Sequence, residues 1–406
     1  MFPVTAGSSM KRKIAMRLLV VLLTFMLPAG PLQARPVSPV PVITLDGSHY
    51  DRGFEHGKVL RSEILDVVEN HVLKGIPPAS FKLALAALSW MIDVDEGIVQ
   101  EAKGMVAGAK SAGDGTFRSE RFDLDITWKT LLVINAYVDI SDAFCSSVSR
   151  WRQEDPSDVA IVRNLDWARD PVLMRNTVIF VHRPTEKDEV PFVSVAFAGM
   201  VGCLSCMNQD GVAIFLNRGH AGGRKGVFPP QKRFTPYTLL VRKAVEKRFT
   251  GVNPTRDRVL ILAGAYRIGS FILHIVEGKP SGGEPPAAVM ELPVETFRVR
   301  GGAENKERTG RYLIATNHLV ELDGHQCDTY PKSCKLYQKA MKQMPTLGFG
   351  LDALWGVLHK IQIGATLQSI LYAPKEGTFW LSVQDPEKLT MSPVFKTTVD
   401  TLLKMD

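Results

Sequence analysis

The stretch "SDAFCSSVSRW", residues 141–151, is followed by "VAIVRNLDW", residues 159–167. Together they decide how the chain is read. Upstream, apolar residues recur at helical spacing. Downstream, short alternating or wholly apolar runs dominate, as in strands. Cys145 stands at the change and opens a strand-like run. Asp155, Pro156, Ser157 and Asp158 supply a turn, so the two runs read as a hairpin that folds "VRNLDW" back beside the cysteine. Cys145 is therefore a buried thiol, half of a disulfide, or a nucleophile.

Cysteine usage narrows the choice. The chain of 406 residues holds five cysteines, an odd count. If Cys203, Cys206, Cys327 and Cys334 pair, Cys145 is left over, and an unpaired thiol in an oxidising compartment calls for a reason. Cys203-Leu-Ser-Cys206 lies between strands, not at a helix N-terminus, so it reads as structural thiols or a local disulfide rather than a redox centre. Cys327 and Cys334 share one loop and are candidates to pair. With His318 and His325 they match no standard zinc spacing. No metal and no cofactor is called for.

The N-terminus sets the expected compartment. Lys11, Arg12, Lys13 and Arg17 precede the apolar run "LLVVLLTFML", residues 18–27, and "PAGPLQA" offers a small-residue cleavage site after Ala34. Residues 1–34 read as a secretory signal peptide. A single membrane anchor is the alternative, but a bilayer needs roughly 20 apolar residues. No later segment is long and apolar enough to span, so no stable membrane span is expected once the signal is removed. The protein is expected to be secreted, and the signal suits a bacterial periplasm. Losing its four basic residues lowers the net charge from +7 to +3. That is too little to argue for a nucleic-acid partner. With 45% hydrophobic and 22% charged residues, the rest is an ordinary globular composition.

Residues 35–45 are Pro-rich and extended, and Ser48 with Asp51 makes a capping box for a following helix. Residues 80–112 and 125–144 read as helices, the second running into Cys145. Beyond the hairpin, "NTVIFVHRP", "VPFVSVAFAG", "GCLSCMNQDGVAIFLN", "RVLILAG", "SFILHIVEG" and "AAVMEL" read as strands, with "TPYTLLVRKAVEKRF" a helix beside them. "TLQSILYAPKEGTFWLSV" reads as a second hairpin. The expected class is α+β: a helical pro-segment before Cys145 and a largely antiparallel body after it.

A helical segment ending at a cysteine that starts a strand suggests a proenzyme. Cutting the Phe144–Cys145 bond would leave Cys145 with both a thiol and a free α-amine. Their reference pKa values are about 8.5 and about 7.8, so the amine can take the thiol proton at neutral pH. An arginine beside the thiolate would favour it, and an aspartate would hold the α-ammonium. Arg163 and Asp166 lie on opposite faces of an ideal strand, so a bulge or bend is needed for both to reach the thiol. Asn217 in "AIFLNRG" and Asn317 in "ATNHL" are candidates to bind the oxyanion.

Cys145 followed by "RNLDW" resembles the N-terminal nucleophile (Ntn) hydrolases of the choloylglycine hydrolase, acid ceramidase and penicillin acyltransferase group. "GSHYDRGFEHG", "FAGMVGCLSCMNQDGVAIFLN", "ATNHL" and "QSILYAPKEGTFWLSV" together resemble the acyl-coenzyme A:6-aminopenicillanic acid acyltransferase branch, from about residue 43 to about residue 385. The resemblance implies a four-layer αββα sandwich and self-cleavage before Cys145. It leaves an α chain of residues 35–144 associated with a β chain of residues 145–406. It carries over Cys145 as nucleophile, Arg163 and Asp166 as its neighbours, and Asn217 and Asn317 as oxyanion or positioning groups. The substrate it implies is a small acyl amide or thioester.

Two positions depart from that pattern. Where relatives carry a Ser-Arg pair, this chain has Ser333 followed by Cys334, with Lys332 and Lys335 nearby. A lysine there would be a point charge in place of an arginine fork. Cys206 replaces a glycine. Two rival readings follow: an exported Ntn-fold binding protein with impaired catalysis, and papain-like chemistry using His318 or His220. The Gly-rich "NRGHAGGRKG", residues 217–226, reads as a flexible loop near the pocket, and His56 as a packing histidine.

Overall fold

The computed structural model describes residues 37–405 apart from 140, 142, 153, 221–231, 252–253, 281–284, 302–310 and 323–326. The signal-peptide reading of residues 1–34, most of the Gly-rich loop, Asp142 and His325 lie outside the described residues.

The strands form two large sheets and one short pair. The strands before the "LDW" motif are β1 (Val42–Gly47), the short pair β2 (Arg118–Ser119) and β3 (Leu124–Asp125), β4 (Phe144–Trp151) and β5 (Val159–Asp166). Next come β6 (Thr177–Pro184), β7 (Phe192–Phe197), β8 (Ser205–Asn208), β9 (Val212–Arg218), β10 (Phe271–Glu277), β11 (Ala287–Leu292) and β12 (Arg298–Arg300). The last four are β13 (Tyr312–Ala315), β14 (Thr366–Ala373), β15 (Thr378–Val383) and β16 (Phe395–Thr398). An eight-stranded sheet is ordered β1-β6-β7-β8-β9-β10-β11-β12, and a six-stranded sheet β13-β4-β5-β14-β15-β16. β1 pairs parallel to β6, and the remaining ladders of both sheets are antiparallel.

Side-chain alternation shows what each sheet face touches. Ile161 of β5, Ile370 of β14, Phe215 of β9 and Val195 of β7 share one apolar cluster, so the two sheets bury a common core. Ile214 and Leu216, on the opposite face of β9, pack with Val241 and Val245 of the helix Tyr237–Glu246. Val162 and Leu371 pack with Leu336 and Leu358 of the helices Pro331–Met341 and Leu351–Lys360. The fold is a mixed helix and sheet structure.

The segment before Cys145 is mostly helical but not wholly so. β1 joins the eight-stranded sheet at its edge, which makes this segment part of the same core. The helix His49–Val59 starts at the Ser48–Asp51 capping box. It lies very close to the helix Glu96–Ser111: a Cβ on Gly53 would sit 1.9 Å from the Glu101 carbonyl oxygen, and one on Gly104 2.1 Å from that of Tyr50. Only glycine permits that backbone approach.

The structure corrects two sequence expectations. The helix expected to run into Cys145 covers Trp128–Asn135 and tightens into a 3₁₀ turn, Ala136–Asp139, before the strand starts at Phe144. The run cannot stay helical and also enter the sheet at Cys145. "RVLILAG" is not a strand but the end of the helix Pro254–Gly264. A short apolar run does not distinguish the two states by period, and the proline at its first position favours a helix start.

Candidate functional site

The site is built on the β4–β5 hairpin. Cys145 sits opposite Leu165 and Ser147 opposite Arg163. Pleating turns Cys145, Ser147 and Arg163 towards the eight-stranded sheet. The thiol is almost fully buried, at 1% exposure, whereas Phe144 before it is partly exposed, at 36%. Cys203–Cys206 and Cys327–Cys334 are joined as disulfides, and Cys145 is the free cysteine.

Arg163 crosses the gap between the sheets. Its Nη2 donates to Cys145 Sγ at 3.2 Å and to the Leu216 carbonyl of β9 at 2.6 Å. Its Nη1 donates to Ser205 Oγ of β8 at 2.7 Å. Ser205 lies between the two cysteines of the Cys203–Cys206 disulfide, so that loop holds the guanidinium in place. Burial pushes the Cys145 thiol up from its ordinary pKa. Arg163 opposes the rise, the Asp166 charge adds to it, and the backbone amides of Arg218 and Asp166 favour the thiolate.

Asp166 lies at the end of β5 on the opposite face from Arg163. Its Oδ1 accepts from Thr366 Oγ1 at 2.5 Å, while Oδ2 is buried without a partner among the described residues. Burial raises its pKa to about 7, with Thr366 and Arg163 acting against the rise. β5 pairs with β4 without a break, so the bend that would bring both side chains to the thiol is not found there: Arg163 reaches Sγ, whereas the Asp166 carboxylate stays on the other face, beside a register shift between β5 and β14 at Thr366 and Gln368.

The asparagines take different places. Asn317 Oδ1 accepts from the Cys145 backbone N–H at 3.0 Å, and its Nδ2 donates to the Arg218 carbonyl at 2.7 Å, which fixes the amide's orientation. It therefore faces the nitrogen that cleavage would free. The turn carrying Asn317 is clamped by Ser333, whose Oγ accepts from the N–H groups of Asn317 (2.8 Å) and His318 (3.1 Å) and donates to Thr316 Oγ1. Asn217 Nδ2 reaches Ser147 Oγ at 3.3 Å and the Ala315 carbonyl at 3.4 Å; its Oδ1 is buried without a partner among the described residues. Lys335 is exposed on the helix Pro331–Met341 and borders a cavity beside Phe144.

His318 Nδ1 faces Thr316 and Ser333, and the His220 ring packs on Phe144 and Tyr330. His56 accepts from the Gly199 N–H, and burial lowers its pKa to about 4.

Five contributing residues go beyond the sequence reading: Ser205, Thr366, Ser147, His274 and Arg218. His274 bridges Ser147 and Ser149 through its two ring nitrogens, and burial with the nearby Arg300 lowers its pKa to about 3. Arg218 Nε holds the Ser141 carbonyl, just upstream of the Phe144–Cys145 bond. A sequence signal existed for part of this: in "CSSVSRW", Ser147 and Ser149 share the cysteine's face, where a plain core would be apolar.

No family model matches the chain. An uncharacterized protein of Archaeoglobus fulgidus is 21% identical over 282 residues, 63% of this chain, which spans 44% of that relative's length. Among solved structures, a Caenorhabditis elegans ortholog of N-acylethanolamine-hydrolyzing acid amidase aligns with a TM-score of 0.44 and 16% identity, over 57% of this chain and 93% of its own. Penicillin V acylase from Agrobacterium tumefaciens aligns at 0.44 and 10%, over 64% and 88% of the two chains. A mutant conjugated bile acid hydrolase from Clostridium perfringens aligns at 0.43 and 8%, over 64% and 95%. At such identities and scores, the site itself must carry the functional reading.

Proposed function

We propose that this chain is a self-processing Ntn cysteine amidohydrolase or acyltransferase on a four-layer αββα sandwich, related to the acyl-coenzyme A:6-aminopenicillanic acid acyltransferase branch. The observation that carries the reading is the environment of one residue. Cys145 enters its strand with Sγ on Arg163 Nη2 and its backbone nitrogen on Asn317 Oδ1. An ordinary core cysteine needs neither contact.

In self-cleavage, Sγ attacks the Phe144 carbonyl carbon. The C–N bond to Cys145 breaks, its nitrogen takes the proton, and Phe144 is held as a thioester. Water hydrolyses the thioester, releasing the Phe144 carboxylate and restoring the thiol. The new α-amine, held by Asn317, then accepts the thiol proton, and Arg163 stabilises the thiolate. The thiolate attacks an amide or thioester substrate, with Asn217 Nδ2 a candidate oxyanion donor. The acyl group leaves Cys145 to water or to an acceptor amine. The N-terminal sequence supports export, and we place the enzyme in a bacterial periplasm.

A denaturing gel with intact-mass analysis tests the reading. The purified protein should give two chains divided between Phe144 and Cys145, and Cys145→Ala should give one. An undivided chain that retains Phe144–Cys145 and turns over no acyl amide overturns it.

A further inference from the structure

The hydrogen bonds that hold Arg163 in place lead back to one short loop. Ser205 Oγ accepts from its Nη1 at 2.7 Å. The Leu216 carbonyl accepts from its Nη2 at 2.6 Å, and the Leu216 N–H is tied in turn to the Leu204 carbonyl at 2.9 Å. Leu204 and Ser205 are the residues between Cys203 and Cys206, which are joined as a disulfide. Nη2 also donates to Cys145 Sγ, and Nε has no partner among the described residues. The aim of the guanidinium at the thiol thus depends on one acceptor carried by the disulfide loop and one tied to it.

The loop has no slack. Cys203 and Cys206 are fully buried. Cys206 lies in β8 between Ser194 of β7 and Ile214 of β9. The Cys203 N–H donates to the Thr238 carbonyl at 2.9 Å, and a Cβ on Gly202 would sit 2.4 Å from Thr238 Oγ1. Two thiols need more room than a disulfide, because bonded sulfurs stand about 2 Å apart and non-bonded heavy atoms about 3.5–4 Å. A close-packed interior does not supply that room without movement. With both cysteines anchored, the movement falls on Leu204 and Ser205, the residues on which Arg163 depends.

We propose that the Cys203–Cys206 disulfide is a redox gate on Cys145: the chain processes itself only after these two thiols are oxidised. One thiolate attacks a low-molecular-weight disulfide such as oxidised glutathione, forming a mixed disulfide and releasing one thiol. The second thiolate attacks the mixed disulfide, closes the Cys203–Cys206 bond and releases the other thiol. Two electrons and two protons pass from the protein to the small disulfide, which leaves as two thiols. Both cysteines are buried once the chain has folded, so the exchange takes place during folding. A chain folding among reductants keeps Arg163 loose and the Phe144–Cys145 bond whole; one folding where disulfides persist is cut. The proposal rests on the self-cleavage reading for processing but not for the reactivity of the thiol.

The test refolds the full-length chain from urea in glutathione buffers of graded oxidised-to-reduced ratio. Intact mass and alkylation mapping follow the Cys203–Cys206 and Phe144–Cys145 bonds together. The split fraction should track the disulfide. Protein that keeps its melting transition but holds Cys203 and Cys206 as thiols should split about ten-fold more slowly. Splitting at the oxidised rate with both thiols free overturns the proposal. Cys203→Ser/Cys206→Ser should split slowly in every buffer and should move the pH profile of Cys145 alkylation by iodoacetamide to higher pH. Cys327→Ser/Cys334→Ser, which removes the other disulfide, should leave that profile in place. A profile unmoved by the first pair, or moved equally by both, overturns the placing of Arg163 by the loop and the proposal with it. Fully oxidised protein that is never cut breaks the self-cleavage reading instead, and the alkylation profile then decides separately whether the disulfide governs the thiol.

Discussion

Arg242 and Arg163 are both fully buried, and they are treated oppositely. Arg242 donates to both oxygens of Glu101, to Glu246 and to the Val201 carbonyl. Arg163 has as partners a hydroxyl, a carbonyl and a thiol, and its Nε is left without one among the described residues. Their acids differ in the same way. Arg242 holds Glu101 well below the usual carboxylate range against its burial, whereas burial raises Asp166 to about 7. Around Arg242, His49 bridges Glu101 and Glu189; burial acts to lower its pKa, but those two hydrogen bonds raise it to about 9. This satisfied network ties the segment before Cys145 to the sheet body. Around Arg163 a buried positive charge is left facing a thiol. A matched buried charge fixes structure; a mismatched one is kept where it can favour an anion that forms during reaction.

The comparison is most exposed to Arg242→Met. It should cost about 3–5 kcal/mol by stranding Glu101 and Glu246, read as a lower urea midpoint. A loss no larger than that of Arg163→Met would erase the distinction.

The acids give a pH test in the uncut Cys145→Ala protein. The folded pKa of Asp166 is about 7, and an unfolded aspartate titrates near about 3.9. Between these values the folded state holds a proton that the unfolded chain has released. The Asp166 contribution to stability therefore falls as pH rises from about 4 to about 7, by at most about 1.4 kcal/mol per pH unit, and is level above. Asp166→Asn should make urea-unfolding stability less steep across that window. Asp139, also raised to about 7 by burial, keeps part of the slope. An unaltered slope would mean that Asp166 is ionised throughout.

Arg163→Met should slow alkylation of Cys145 by iodoacetamide at pH 7 about ten-fold, because the thiol loses the positive charge that opposes its upward shift. Its stability should change by less than about 2 kcal/mol. An unchanged pH profile of alkylation would remove Arg163 from the thiol's electrostatics. Ser205→Ala should shift the same profile in the same direction with an effect of about three-fold, and Ser205→Thr should restore it. If alanine and threonine behave alike, the Cys203–Cys206 loop supports the fold and does not position Arg163.

Much of this was legible in the sequence because it depends on local pattern. The Cys145 hairpin, the Ser48 capping box, the "TLQSILYAPKEGTFWLSV" hairpin and most strands are set by period, turn residues and caps. Where period was silent the reading failed: "RVLILAG" is a helix, and the approach to Cys145 unwinds early. Lys335 could be seen as a charge, but not as the border of a hollow.

By itself, the sequence determined an isolated cysteine at the start of a strand, an arginine in the returning strand, and two asparagines further along. Only the tertiary structure decided their parts. It put Asn317 on the Cys145 nitrogen, across a separation of 172 residues, and gave Asp166 Oδ1 to Thr366. It added Ser205 as the support of Arg163. The reason is physical. Alternation along one strand fixes which way a side chain points, but what it meets there depends on the register of a second sheet, set by contacts hundreds of residues away.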